Sequence, residues 1–119
     1  MWIYSKLDTH WGNPGAYIGA KALAEELGVE MPELSEVSAE LSEISRGDLA
    51  NMLNVSIPNG DREYQLSGYE VEDGNQGESY MEFHQNSGSS LKLAIRRDSF
   101  GARLSKVLQH AFQDVYVAQ

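Results

Sequence analysis

Residues 91–115 read Leu-Lys-Leu-Ala-Ile-Arg-Arg-Asp-Ser-Phe-Gly-Ala-Arg-Leu-Ser-Lys-Val-Leu-Gln-His-Ala-Phe-Gln-Asp-Val. Leu91 to Arg97 reads as a strand, and Asp98 or Ser99 then caps a helix expected over Phe100 to Val115. Phe100, Leu104, Val107, Leu108, Ala111 and Val115 recur at helical spacing and form one apolar stripe. Arg103, Lys106 and His110 share the adjoining face. A strand feeding an amphipathic helix, with more strands before it, sets the expected class. That class is α+β: an antiparallel sheet of three to four strands with helices packed on one face.

Upstream of this stretch, Tyr80 to His84 reads as another strand. Tyr64, Leu66, Tyr69 and Val71 suggest a further one, interrupted near Gly68 by a bulge. The turns between them, Asp73 to Gly77 and Asn86 to Ser90, are short, so a meander is the simplest arrangement. At the other end, residues 2–7 alternate and suit a strand, and Asp8 to Gly15 reads as a loop. A helix follows over about Ala16 to Leu27, closed by Gly28 in the left-handed conformation with Val29 packing back. Pro32 then opens the most regular element, a helix expected to reach Ile44. Leu34, Val37, Leu41 and Ile44 form its buried stripe. Glu33, Glu36, Glu40 and Glu43 form a second stripe about 100° round the helix. Arg46 to Leu53 reads as a short helix, with Ser45 and Asp48 as a capping-box-like pair and Asn54 closing it.

An internal echo links two of these pieces. Leu23-Ala24-x-x-Leu27-Gly28-Val29-x-Met31-Pro32 matches Leu49-Ala50-x-x-Leu53-Asn54-Val55-x-Ile57-Pro58. Two copies are too few for a solenoid, so the echo reads as reuse of one local solution: a short helix, a left-handed cap, an apolar latch and a proline stop.

With 119 residues, 41% of them hydrophobic, the chain reads as one globular domain over 1–119. Residues 1–60 supply a strand and helices, and 61–119 a β-meander and a final helix. The absence of cysteine excludes disulfides and thiolate metal sites. No apolar run approaches the ~20 residues of a membrane span, and the N-terminus lacks the features of a signal peptide. The expected setting is the cytoplasm, and the sequon Asn54-Val55-Ser56 reads as chance.

Charge carries the functional expectation. The net charge is −9, and it is unevenly placed. Residues 25–48 hold eight acids against Arg46, and 61–82 hold seven acids against Arg62. Residues 92–106 reverse the sign, with Lys92, Arg96, Arg97, Arg103 and Lys106 against Asp98. Such a field opposes contact with nucleic acid or an anionic membrane and favours a basic protein partner, itself a nucleic-acid binder. The leading expectation is therefore a non-enzymatic inhibitor that covers a basic surface, of anti-CRISPR, antirestriction or immunity-protein type. Glu33, Glu36, Glu40, Glu43, Glu70, Glu72 and Asp73 would form its docking face, with Trp2, Trp11 and Tyr17 as a hot spot. Opposite poles on one chain also allow a two-fold homodimer.

Two alternatives stand beside it. The words Leu-Ala-x-x-Leu-Gly-Val and Leu-Ala-x-x-Leu-Asn-Val resemble the first helix and turn of a helix-turn-helix DNA reader, which implies a transcription-associated regulator. The would-be recognition helix, Pro32 to Ile44, carries four glutamates and no base, which opposes DNA. The third reading is a small enzyme using His10 or His84. Asp8-x-His10 offers two metal ligands or an ordinary hydrogen-bonded pair, and no second ligand cluster accompanies it. Gly12-Asn13-Pro14-Gly15 lacks the ending of a phosphate loop and reads as a turn. The expectation is no catalytic residue, no metal and no cofactor.

Overall fold

The computed structural model describes residues 2–71, 79–85 and 89–119. In chain order the elements are α1 (Asn13–Glu26), a 3-10 turn (Leu34–Glu36), β1 (Ala39–Ile44), α2 (Asp48–Met52) and β2 (Asp61–Leu66). Then come β3 (Tyr80–Phe83), β4 (Lys92–Arg96), α3 (Phe100–Leu108) and β5 (Asp114–Ala118). The class is α+β. β1 and β2 form an antiparallel pair, and the other sheet has the order β3-β5-β4.

α1 begins three residues earlier than the periodicity predicts, because Pro14 sits in the first turn, where its missing N–H costs nothing. The helix closes as expected. Gly28 is left-handed at φ +84°, and the Val29 N–H returns to the Ala24 carbonyl at 2.8 Å. The echo repeats this closure bond for bond. Asn54 has φ +52°, and the Val55 N–H donates to the Ala50 carbonyl at 3.0 Å. One local sequence solution is thus used twice.

Several expected elements are corrected. Residues 2–7 form no strand: Tyr4 makes one isolated bridge to Trp11, and the Lys6 and Leu7 N–H groups donate to the Asp61 carboxylate instead of a neighbouring strand. The helix expected from Pro32 to Ile44 is a single 3-10 turn followed by β1, because β2 supplies a paired ladder from Ala39↔Leu66 to Ile44↔Asp61. A strand has period two, so Glu40 and Glu43 fall on opposite faces and the glutamate stripe does not exist. The would-be recognition helix vanishes with it. The capping-box-like pair Ser45 and Asp48 is replaced by Gly47 at the cap of α2. Gly68, at φ +81°, ends β2 in a turn and forms no bulge within a longer strand. The turns expected at 73–77 and 86–90 lie wholly or in part outside the described residues.

The largest correction is at the C-terminus. α3 stops at Leu108, and Asp114–Ala118 enters the sheet as its central strand. β5 is antiparallel to β3 and parallel to β4, so the meander becomes a β4–α3–β5 crossover. The core explains why. Val115 and Val117 are buried beside Met81 and Leu93, while Val107 and Leu108 of α3 and Phe112 pack over them against Ala16, Tyr17, Ala20 and Ala24 of α1. Val107 and Leu108 are buried on α3 as expected; Ala111 is buried in the turn beyond it, and Val115 belongs to the strand that the helix covers. Among the described residues, no helix is long and apolar enough to cross a membrane.

Candidate functional site

Two segments far apart in sequence meet at the C-terminal end of β4. One is residues 8–11, just ahead of α1. The other is the turn from β4 into α3. The Trp11 indole N–H donates to the Phe100 carbonyl at 3.1 Å, and Arg103 donates to the Trp11 carbonyl at 3.2 Å. Arg103 also pairs with Glu63 of β2 at 2.7 Å, both side chains being mostly buried. The Trp11 ring meets Phe100 edge-on at 5.7 Å, and the His10 ring lies tilted on Phe100 at 4.9 Å. These contacts set His10 beside the first turn of α3.

Asp8 and His10 form a dyad. The Asp8 carboxylate receives His10 Nδ1 at 2.7 Å and the His10 backbone N–H at 3.0 Å through Oδ1. It receives the Asp48 N–H at 3.0 Å through Oδ2. Partial burial disfavours the charge on Asp8, but the backbone bonds from His10 and Asp48 and the bond to the His10 ring outweigh it and hold the carboxyl below its usual range. An ionised Asp8 keeps the proton on His10 Nδ1 and leaves Nε2 as the basic nitrogen. Among the described residues, Nε2 has no hydrogen-bond partner. The ring is about one-third exposed.

Ser99 stands where α3 begins. Its hydroxyl makes no capping bond. Asp98 does that work: its Oδ1 accepts the N–H groups of Phe100 at 3.0 Å and Gly101 at 3.2 Å. The serine is thereby left exposed, one residue before the ring that His10 touches. A cavity of about 170 Å³ opens beside Asp8 and Trp11, walled also by Ile44, Arg46 and Arg103. Asp8, His10 and Asp48 could together reach a metal ion, each with one ligand atom within 4.8 Å of the others.

The other expected site residues are scattered. Glu33 and Glu36 cap the 3-10 turn reciprocally, and Glu33 also pairs with Lys21 at 3.1 Å. Glu40 and Glu43 lie on β1, and Glu43 faces Arg62 across the ladder. Glu70 accepts the Gly68 N–H at 2.9 Å. Glu72 and Asp73 lie outside the described residues. Tyr17 is fully buried, its hydroxyl donating to the Pro32 carbonyl at 2.8 Å, so it belongs to no surface. Trp2 is exposed under Lys6, whose Nζ lies 4.1 Å from its ring centroid. Trp11 alone of the three lies at the dyad. His84 sits at the end of β3 with both ring nitrogens occupied, by Asp114 at 2.8 Å and Glu82 at 2.9 Å. The bond to Asp114, then that to Glu82, raises its pKa above the usual value. It has no nitrogen left to act as a base.

Sequence reading picks out Asp8 and His10 as a pair but takes Ser99 only as a cap and Asp48 as half of a capping box. The one sequence signal for Ser99 is its place between a strand and a helix.

No protein-family model and no curated protein matches the chain. Solved structures do match in fold. A DHHW family protein from Eubacterium siraeum is 21% identical with a TM-score of 0.68, the match covering 99% of this chain and 51% of that one. PatB1 from Bacillus cereus is 12% identical with a TM-score of 0.65, covering 98% of this chain and 53% of that one. The O-acetyltransferase domain of Pseudomonas putida AlgJ is 18% identical with a TM-score of 0.42, covering 98% and 42%. The chain spans about half the length of the first two. These likenesses replace the expectation of an anti-CRISPR, antirestriction or immunity-type inhibitor: the shared fold is that of half a DHHW family protein and half of PatB1, and the acidic helix on which the inhibitor reading rested is a strand.

Proposed function

We propose that this chain carries an acyl-transfer site of the serine–histidine–aspartate type, with Ser99 as nucleophile, His10 as general base and Asp8 as the group that orients it. The observation that carries the reading is the 2.7 Å bond that His10 Nδ1 donates to Asp8, with the ring resting on the residue that follows Ser99. Three further facts support it. The serine lies at the carboxyl end of a parallel strand, where open sheets place their sites. It heads a helix whose dipole favours the negative charge of an oxyanion. Asp8-Thr9-His10-Trp11 also agrees with the letters D-H-H-W in the first, third and fourth places, and a member of the family so named shares this fold.

The chemistry follows from the roles. Ser99 Oγ attacks the carbonyl carbon of an ester while its proton passes to His10 Nε2. The ester C–O bond breaks, and the departing alkoxide takes that proton. The acyl-serine is then attacked by a hydroxyl group, of water or of an acceptor alcohol, which gives its proton to Nε2. Collapse returns Ser99 and releases acid or new ester. Asp8 remains ionised throughout and stabilises the transient imidazolium.

A fluorophosphonate probe tests this without knowledge of the natural substrate. The expected result is a single adduct mapped by mass spectrometry to Ser99. It should be absent in Ser99→Ala and slowed by about a hundredfold or more in His10→Ala, the usual range for loss of a general base. An adduct on another residue, or none on the folded protein, overturns the proposal.

A further inference from the structure

Asp48 is 40 residues from Asp8 in sequence, yet the two are interlocked. Asp8 Oδ2 accepts the Asp48 N–H at 3.0 Å. In return, Asp48 Oδ1 accepts the Thr9 N–H at 2.6 Å, and Asp48 Oδ2 accepts the Thr9 hydroxyl. The Leu7 carbonyl takes the next two N–H groups of α2, Leu49 at 3.0 Å and Ala50 at 3.4 Å. The head of α2 is therefore spent on residues 7–9. An acid in a first turn ordinarily serves its own helix; here both of its oxygens bind the residue between the dyad members. Oδ2 also lies 3.5 Å from His10 Nδ1, the nitrogen that Asp8 holds at 2.7 Å.

We infer that Asp48 is the positioning residue of the dyad: it fixes the Thr9 backbone from which His10 projects and confines the imidazole between two carboxylates. The inference rests on the acyl-transfer reading for its consequence in rate. It assigns a role to an acid that approaches the ring at Nδ1, while the proposed base is Nε2. Thr9 has a single residue on each side of it in the dyad. A rotation there swings Nε2 relative to Ser99, and misplacement by about 1 Å can cost on the order of a hundredfold in rate. The two anchored atoms of Thr9, N–H and hydroxyl, remove that freedom.

Three variants and two readouts test it on the intact chain. Asp48→Ala removes both acceptors, Asp48→Asn keeps one carbonyl oxygen for the Thr9 N–H, and Thr9→Val removes only the hydroxyl. The first readout is the ¹⁵N NMR spectrum of the His10 ring, which reports tautomer and order without any reaction. The second is fluorophosphonate labelling, resolved into its maximal rate and half-saturating concentration. In Asp48→Ala the maximal rate should fall on the order of tenfold to a hundredfold with half-saturation unchanged, and the ring signals should move from one tautomer toward an average. Asp48→Asn should recover most of both, and Thr9→Val should shift both slightly in the same direction. Ring signals in folded Asp48→Ala identical to wild type overturn the inference. Should Asp48→Ala fail to fold by circular dichroism, unchanged ring signals in both other variants overturn it equally. A wild-type protein that takes no label refutes the acyl-transfer reading, and the ring signals then decide the role of Asp48 alone.

Discussion

At the scale of single residues, the dyad depends on a carboxylate that does no chemistry. Asp61, 1% exposed at the start of β2, receives the Lys6 N–H at 2.5 Å, the Leu7 N–H at 3.2 Å and the Ser5 hydroxyl through Oδ2, and the Arg62 N–H at 2.8 Å through Oδ1. It takes the place of a partner strand for residues 5–7 and so delivers Asp8 to its position. Burial disfavours the charge on Asp61, but the bonds from Ser5, Arg62, Leu7 and Lys6 outweigh it, and the carboxyl sits below its ordinary 3.8. A lowered value means that the folded state binds the charged form more strongly. The stabilisation is complete above about pH 4 and disappears as pH falls through the lowered value. Asp61→Ala removes the acceptor shared by the Lys6, Leu7 and Arg62 N–H groups and the Ser5 hydroxyl, and should destabilise the protein by about 1–3 kcal/mol. Urea melts at pH 7 and pH 3 check both statements: the difference between wild type and variant should shrink at the lower pH.

At the scale of elements, the contact between α2 and residues 7–8 is close enough to require glycine. A Cβ built on Gly47 would lie 2.4 Å from the Leu7 carbonyl oxygen and 3.1 Å from Asp8 Cβ. The backbone there is extended, at φ −170°, so the requirement is space and not conformation. Gly47→Ala must push α2 away from the dyad. Overpacking of this kind costs about 1–3 kcal/mol, and the displaced helix carries Asp48 with it. Differential scanning calorimetry should show a lowered Tm, and fluorophosphonate labelling should slow together with it. A Tm within 1 °C of wild type, taken as about the scatter of such scans against the several degrees expected per kcal/mol in a small domain, contradicts the close contact.

At the scale of the whole molecule, the last strand holds the sheet together. β5 lies between β3 and β4 and contributes Val115 and Val117, both almost fully buried. Among the described residues β3 and β4 have no ladder to each other, so without β5 neither has a sheet neighbour and the layer under α1 and α3 is lost. A chain truncated after Gln113 should lose cooperative unfolding and near-ultraviolet dichroism, because a layer this small cannot bury enough apolar surface without its central strand. Retention of a sharp thermal transition would count against the central role of β5. The crossover β4–α3–β5 also accounts for where the candidate site lies: a parallel strand followed by its helix puts the connecting turn, and Ser99 in it, at the open end of the sheet.

What the sequence by itself determined was local. The left-handed closures at Gly28 and Asn54, the Asp98 cap of α3, the apolar face of Val107 and Leu108, and the pairing of Asp8 with His10 follow from residue types at short spacing. Each is settled within one or two turns of chain, where backbone sterics and neighbouring side chains decide the outcome. The fate of Ala39 to Ile44 and of Asp114 to Ala118 was decided elsewhere. Both carry residues that fit a helix or a strand, and each became a strand because a distant segment offered a ladder: β2 for the first, β3 and β4 for the second. Intrinsic propensities differ by tenths of a kcal/mol per residue, so tertiary pairing and burial override them. The candidate site belongs to that second category. Ser99 and His10 are 89 residues apart, and only the packing of Trp11, Phe100 and Arg103 brings them to one place.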